Sequence, residues 1–508
     1  MRYSRAAGIL MHPTSLPSRF GIGDLGEAAY RFIDFLEASG QTLWQILPLG
    51  PTGYGDSPYA CFSALAGNPL LINLAWIEAE GDIVPPDLDQ FPVFPDAYVD
   101  YGPVIEFKLA ILHRAARNFR RWADAERKAE FDQFCAHNAH WLDDFTLFMA
   151  LKEAHGGAVW NTWERELAAR QPEALAAWRE RLDEQVFAHC YFQFQFFRQW
   201  EALKKYTNDK GIQIIGDIPI FVAYDSADVW ANPDLFHLDE NQLPTVVAGV
   251  PPDYFSPTGQ LWGNPLYRWN VMSDRGYPWW ITRFRQTLTM VDLIRLDHFR
   301  GFEAYWEIPA GEPTAVNGKW VKGPGVRFME AIEAVLGTLP ILAEDLGFIT
   351  PEVEMLRDQF EFPGMKILQF AFATDASNPY LPHNFAPNCL VYTGTHDNDT
   401  TLGWYYSREE QERQAMHRYL GPLSESVNWA LMRLAYQSVA DLAIVPLQDV
   451  LGLGAEARMN TPGKLGGNWS WRFQLEDLLP QHSAALKEMA LAYARLEPEV
   501  KTSMPAYM

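Results

Sequence analysis

Apolar residues along the chain fall into two alternating rhythms, short continuous runs and longer stretches of helical spacing. Gly8-Ile-Leu-Met11 is a short run, and Asp24 to Ala38 follows at helical spacing with Asp24 as the expected N-cap. Thr42 to Leu49 is the next run, closed by Pro48 and Gly50. This strand, helix, strand order opens a parallel α/β fold. From about residue 65 to 210 the rhythm breaks into long amphipathic runs, Ile105 to Trp122, Glu130 to Lys152 and Gln185 to Tyr206, which predict a mostly helical insertion. Strand patterns return at Gln213 to Val222, Leu293 to Leu296, Leu339 to Ala343, Lys366 to Phe372, Leu390 to Thr393 and Leu442 to Leu447, with helical stretches between them. Eight strands alternating with helices predict one TIM (β/α)8 barrel over residues 1–508, with large insertions after strands 2 and 3. The second insertion, 223–290, contains Gly249 to Pro265, so dense in Gly, Pro and aromatics that it predicts an ordered, irregular substrate flap.

Composition narrows the class of partner. A formal net charge of −23 repels nucleic acid and anionic membrane surfaces. Cys61, Cys135, Cys190 and Cys389 are far apart and form no C-x-x-C pair, which fits reduced thiols in a cytoplasmic protein. The apolar run Ala6 to Met11 is cut by His12-Pro13, too soon for a signal segment, and no stretch approaches the roughly 20 apolar residues of a membrane span. The chain has 19 Trp, 21 Tyr and 31 Phe, more than core packing alone explains, and loops such as Pro51 to Tyr59 display several of them. Stripes such as Phe187, Tyr191 and Phe194 are read as helix core.

The predicted strands share an ending: an apolar run closes on an acid and then on turn residues. Residues i and i+2 of a strand share a face, so Arg295 and Asp297 project together. Alone, that pair fits a buried structural ion pair as well as a catalytic one. Asp217, Glu344 and Asp397 close other runs, with Asp345 and Asp399 next to two of them and not separated from them by spacing. Catalytic groups of such barrels lie at the C-terminal strand ends. Acids gathered there repel, so a cation has to hold one ionised while another keeps its proton. Arg295 is the partner in reach of Asp297, and Glu344 has no basic neighbour in its own motif. A carboxylate nucleophile with a carboxylic acid is the equipment of retaining glycosidic chemistry, which requires a separation of about 5 to 5.5 Å, and the expected arrangement has the two facing across the mouth. A divalent-metal site is the competing use of the acids, but no D-x-D-x-D-G loop is present and Arg295 repels a cation. Gly452-Leu-Gly454-Ala-Glu-Ala457 partly fits a dinucleotide fingerprint, but Pro462 and Gly463 interrupt where its helix would run. No cofactor and no metal are expected.

Taken in order, His12-Pro-Thr-Ser-Leu-Pro, Gly21-Ile-Gly-Asp-Leu-Gly, Gly53-Tyr-Gly-Asp-Ser-Pro-Tyr59, Gly216-Asp-Ile-Pro, Pro251-Pro-Asp-Tyr, Arg295-Leu-Asp-His298, Ala343-Glu-Asp-Leu346, Thr395-His-Asp-Asn398 and Arg458-Met-Asn-Thr-Pro462 resemble the amylomaltases. These are the 4-α-glucanotransferases of glycoside hydrolase family 77, relatives of the α-amylase clan, and the likeness spans nearly the whole chain. The resemblance implies Asp297 as nucleophile, Glu344 as general acid/base and Asp397 as the acid that grips sugar hydroxyls at the transition state. It thereby favours Glu344 over Asp345 and Asp397 over Asp399. It also implies that Arg295 orients the nucleophile, that His298 and His396 line the sugar site, and that Asp217 supports its floor. Each histidine alone reads as a core residue. Tyr59, Asp253, Gln260 and Trp262 match loop residues flanking the glucan, and Tyr54 and Tyr101 match a more distant glucan-binding groove. Pro257 departs from the pattern, standing where some members carry an acid. The implied reaction moves a glucan from Asp297 to the 4-hydroxyl of another glucan or of glucose, with cyclisation a further product route. Maltooligosaccharides and other α-1,4-glucans are the expected partners. The alternatives are an α-amylase-like hydrolase with a wetter site and a noncatalytic glucan-binding protein.

Overall fold

The computed structural model describes residues 3–84, 88, 92–253 and 256–497. Eight short strands make one parallel sheet: β1 (Ala6–Leu10), β2 (Leu43–Gln45), β3 (Gln213–Pro219), β4 (Leu293–Asp297), β5 (Ile341–Ala343), β6 (Gly364–Ile367), β7 (Cys389–Tyr392) and β8 (Leu442–Pro446). Their order is β6-β7-β8-β1-β2-β3-β4-β5, so each is next to its sequence neighbour and the sheet curls into a barrel. Parallel strands are covered on both faces, which is why runs such as Ile214-Ile215 and Leu293-Ile294 are apolar without alternation and fully buried. Among the described residues, β5 and β6 share no ladder. That seam is spanned by Ala343 N–H donating to Pro363 O at 2.8 Å and by Met365 N–H donating to Asp345 Oδ1 at 2.6 Å. An acid side chain thus takes the place of a backbone acceptor at the seam.

Several boundaries differ from those the pattern predicts, each for a local reason. Helix α1 is Glu27–Ala38, buried through Phe32, Ile33 and Leu36, and its cap position is Gly26. Asp24 sits further out, accepting from Gly26 N–H, the Ser18 hydroxyl and Asn73 Nδ2. β2 ends at Gln45 instead of Leu49: Ile46 N–H still donates across to Ile215 O of β3, but Leu47 N–H leaves the ladder for the His12 ring. β6 stops at Ile367, and Leu368–Phe370 form one 3-10 turn where a continued strand is expected. Gly452 adopts φ 68° at the end of the short helix Leu447–Leu451, and a single 3-10 turn, Ala455–Ala457, follows it, so no phosphate-binding helix runs from this glycine pair.

Between β2 and β3 lie three long helices, α2 (Tyr101–Trp122), α3 (Ala125–Ala154) and α4 (Asp183–Asp209). The aromatic stripe of α4 packs as core: Phe187, Tyr191 and Phe194 surround Phe119 of α2. After β3 comes α5 (Pro278–Met290), whose Trp280 and Phe284 are buried against the barrel.

The flap is more regular than its composition predicts. Val246–Val250 and Gln260–Pro265 are antiparallel strands, and they join Ala304–Pro309 and Lys319–Lys322 in a four-stranded sheet. The last two strands follow β4, so the sheet draws on two separate loops, a pairing that local pattern does not reveal. Tyr254, within the Pro251-Pro-Asp-Tyr motif, lies outside the described residues. Among the described residues no helix is long and apolar enough to cross a membrane.

Candidate active site

Parallel register brings the acids together. Asp217 pairs with Arg295 across β3 and β4, and Pro219 with Asp297. Arg295 is buried and bridges two carboxylates, donating to Asp217 Oδ2 at 2.6 Å and to Asp297 Oδ1 at 2.8 Å. The Tyr59 hydroxyl donates to the same Asp217 oxygen at 2.7 Å. Burial weakens the guanidinium's hold on its proton, but Asp217, Asp297, Tyr59 and Glu344 outweigh it and raise Arg295 well above its usual value, so it stays charged. Asp217 is pushed up to about 7, chiefly by burial, with Arg295 pulling it down and Asp297 pushing it up. The pair expected from the i, i+2 spacing is therefore half of a larger arrangement, one cation shared by two acids.

Glu344 comes one residue after the Leu296–Ala343 pair of β4 and β5, so Asp297 and Glu344 close adjacent strands. This corrects the expectation that they face each other from across the mouth: they converge as neighbours. Glu344 Oε1 accepts Leu346 N–H at 2.9 Å and Oε2 accepts His298 N–H at 2.8 Å. Its carboxyl is pushed up to about 8, first by burial and next by the negative charge of Asp297; Arg295 and the two N–H groups act against the shift without reversing it. His298 has φ 51°, in the left-handed region that costs a non-glycine residue energy. That turn aims its N–H at Glu344. Burial lowers the His298 imidazole to about 3, so the ring is neutral.

Asp397 stands on the loop after β7, with its side chain 47% exposed. Asn460 Nδ2 donates to its Oδ1 at 2.6 Å, and Arg458 Nη2 donates to its backbone oxygen at 2.7 Å. His396 lies stacked on Tyr59, ring centres 5.2 Å apart, and burial lowers its pKa as well. Asp399 faces the other way, accepting Thr400 N–H at the start of the helix Thr401–Ser407. Both ends of this loop are tied to Asp449, buried just after β8, which accepts from Thr393 Oγ1 at 2.6 Å and from Thr401 N–H and Oγ1 at 2.7 Å.

The loop residues divide. Trp262 reaches the acids' surroundings, its ring 4.8 Å from the His298 ring and edge-on to it. Gln260 Oε1 accepts Trp262 Nε1–H at 3.1 Å, and Asp253 Oδ1 accepts Ser256 N–H within its own turn. Tyr101 donates to Trp469 O at 2.9 Å, and Asp56, from the turn that carries the exposed Tyr54, acts on the same hydroxyl. Trp469 in turn packs against Tyr59 and His396, which links that second region to the first through one ring. Among the described residues no group of three His, Cys, Asp or Glu side chains is arranged to hold a metal ion.

The sequence signature of 4-alpha-glucanotransferases, glycoside hydrolase family 77, matches residues 11–477. The chain belongs to that family. It is 54% identical to the 4-alpha-glucanotransferase of Thermus thermophilus over 504 residues, 98% of this chain and 100% of the other. It is likewise 54% identical to the 4-alpha-glucanotransferase of Synechocystis sp. over 492 residues, 96% and 97% of the two chains. The amylomaltase of Streptococcus agalactiae, solved in complex with acarbose, superposes with a TM-score of 0.94 at 42% identity, covering 97% of this chain and 100% of that one. The activity class of this family 77 chain is that of a 4-alpha-glucanotransferase.

In this family 77 barrel, four residues beyond the predicted set support the site: Asp345, Asp449, Arg458 and Asn460. Asp449 carries the sequence signal used for the others, an acid just past an apolar strand, and is recognisable by it. Asn460 and Arg458 lie in a quoted motif, but nothing in their spacing points to Asp397. The arrangement presents one carboxylate in direct contact with a cation beside one carboxyl group kept protonated near neutrality. A carboxylate and a carboxylic acid placed side by side can serve as nucleophile and acid.

Proposed function

We propose that the chain is a retaining 4-alpha-glucanotransferase that cleaves α-1,4-glucan bonds through a covalent glycosyl-Asp297 intermediate. Glu344 protonates the leaving oxygen and later takes the proton from the incoming 4-hydroxyl of a glucan or of glucose. Asp397, held by Asn460, grips sugar hydroxyls as the oxocarbenium-like transition state forms. Neutral His298 and His396 line the sugar site, and Arg295 and Asp217 fix the nucleophile from below. The observation that carries this reading is the contrast in partners, Arg295 at 2.8 Å from Asp297 against two backbone N–H donors on Glu344. Family membership supports the glucan substrate, because the similar Streptococcus agalactiae amylomaltase holds acarbose.

Transfer instead of hydrolysis requires that water stay away from the glycosyl enzyme until an acceptor arrives. The hairpin of residues 246–265, with Trp262 leaning on His298, supplies that cover. The helical segment 65–210 acts as scaffold for the Tyr54 to Tyr59 loop and for the second glucan groove at Tyr54 and Tyr101. Cyclic products arise when the chain's own far end serves as acceptor. A cytosolic setting belongs to the same reading, supported by four cysteines that are free thiols.

Maltotriose with a parallel count of reducing ends tests the reaction. The expected result is glucose plus longer chains at a constant number of reducing ends; a steady rise would identify an α-amylase-like hydrolase instead. Mass analysis of the Asp297 peptide, after a Glu344→Gln chain has met an α-maltosyl fluoride, is expected to show glycosyl attachment at Asp297. Attachment elsewhere would remove the proposed nucleophile.

A further inference from the structure

Beside Tyr59 and Asp217, a channel of about 60 Å³ runs between β3 and α5. Its polar lining comes from Asp217 on β3, from Arg283 and Thr287 on α5, and from Cys61 and Ser63 on the loop after β2. Arg283 and Thr287 are four apart on a helix and so share one face.

Two of these groups lack protein partners that would satisfy them. Asp217 Oδ1 is buried and accepts from no donor among the described residues, while Oδ2 takes both Arg295 and Tyr59. Arg283, 4% exposed, is a buried cation whose guanidinium packs over Trp279 and Trp280, donates to Ile220 O at 3.4 Å and stands beside the Tyr267 hydroxyl. Asp228 and Asp217 act on it through space, and no carboxylate forms an ion pair with it among the described residues. A guanidinium carries five N–H donors in a fixed fork, far more than these contacts use. The rest of the lining is largely apolar, so these leftover polar groups are where structural water would bind. One water takes about 10 to 15 Å³ of such volume, so the channel has room for roughly four.

We propose that this channel is a water site whose water links Asp217 Oδ1 to Arg283. Arg283 is then a positioning residue, a second and remote cation that favours the carboxylate form of Asp217. Asp217 is faced by Arg295, Asp297, Tyr59 and Tyr392, and on the channel side by Arg283; Arg283 is faced in addition by Asp228, Tyr267 and Cys61. With burial pushing Asp217 up to about 7, its charge changes near neutrality, where a remote cation decides the balance. If Asp217 takes a proton, Arg295 is left to Asp297 alone, which holds the nucleophile back. Only this kinetic consequence rests on Asp297 being the nucleophile; the water positions do not.

The test joins a crystal structure of the full chain, at a resolution that defines ordered water, to pH profiles of maltotriose disproportionation. The expected structure shows a water on Asp217 Oδ1 and a chain of waters to Arg283. Arg283→Met is expected to move the acid limb of kcat/KM upward by about half a pH unit or more, whereas Arg283→Lys, which keeps the charge, leaves it close to the parent's. Thr287→Leu fills the channel without changing any charge, and should displace water and move the limb the same way by less. A structure without water on Asp217 Oδ1 overturns the proposal. So does a coincidence of the methionine and lysine limbs or, if Arg283→Met does not fold, an unmoved limb in a Thr287→Leu chain that has lost the water. If Asp297→Asn retained activity, the mechanism would fall while the water structure still decided this point.

Discussion

The ends of β4 and β5 carry neighbouring acids in opposite surroundings. Asp297 touches a guanidinium that is itself fixed by a second acid, whereas Glu344 receives two backbone N–H groups and is buried. Both sets of partners stabilise a negative charge, so counting hydrogen bonds would predict two similar carboxylates. The difference lies in magnitude: neutral donors offset part of the desolvation of Glu344, and the nearby charge of Asp297 adds to it, which leaves the carboxyl at about 8. The Arg295 guanidinium touches Asp297 but acts on Glu344 only through space, too weakly to reverse the effect of burial.

The largest effect should come from changing the member paired with Arg295. Asp297→Asn keeps the shape and is expected to cost ~10⁴-fold or more in kcat on every donor, good leaving group or poor. Glu344→Gln is expected to cost ~10²- to 10⁴-fold on maltotriose, and far less on α-maltosyl fluoride, whose leaving group needs no proton. The contrast between the two variants on the fluoride is the measurement. Equal rescue of both, or of neither, would mean that the two strand ends do not divide the labour as proposed.

The upward shift of Glu344 has a sign that can be checked twice. In the proposed mechanism Glu344 acts as an acid only while protonated, so kcat/KM should fall as pH rises through about 8. Stability runs in the same direction. The folded chain holds this proton up to about 8 and the unfolded chain only to its ordinary value of 4.5, so folding takes up a proton between those limits. Stability associated with Glu344 is thus fullest below 4.5 and is lost as pH rises to about 8. Glu344→Gln escapes that loss, and its Tm advantage over the parent should grow between pH 5 and pH 8. A constant gap would show that burial does not set the protonation state of Glu344.

Much of this site can be read from sequence because strands have period two and acids are rare in apolar runs. Arg295 and Asp297 share a face for that reason alone, and the parallel order of β3, β4 and β5 follows from the alternation of strands and helices. Spacing could not separate Glu344 from Asp345, since both occupy one turn. Geometry separates them: Asp345 closes the seam, engaging Met365 N–H and Arg357. The small sheet over the mouth is invisible to local pattern, because its strands come from loops on either side of β4. The direction of the His298 N–H is also hidden, because it depends on a positive-φ turn that neither periodicity nor a glycine marks in the sequence.

A third acid sharpens the comparison from further away. Asp449 contacts no reacting group in the proposed mechanism but ties Thr393 to Thr401, the two ends of the loop carrying His396 and Asp397. Asp449→Asn replaces one acceptor oxygen by a donor facing the same hydrogen-bond donors. The expected cost is about 1 to 3 kcal/mol of stability from the broken buried bonds, and roughly tenfold in kcat with a smaller change in KM. A loss confined to Tm would make Asp449 purely structural.

The smallest effect on turnover should carry the most information about transfer. Asp297 is backed by the barrel wall through Arg295, but the cover near Glu344 is a hairpin whose Trp262 remains 39% exposed while its ring rests on His298. His298 in turn gives its backbone N–H to Glu344, so Trp262 meets the residue that holds that carboxyl. Trp262→Ala is therefore expected to leave total bond cleavage within about threefold of the parent, since neither acid loses a partner, and each threefold change is only ~0.7 kcal/mol. What should change is the fate of the glycosyl enzyme. With the indole gone, water reaches the same face that an acceptor hydroxyl would use, and the rate of new reducing ends relative to glucose release from maltotriose should rise severalfold. If that ratio stays at the parent's value, water is kept out by something other than Trp262, and the exposed side of the site is as well sealed as the buried one.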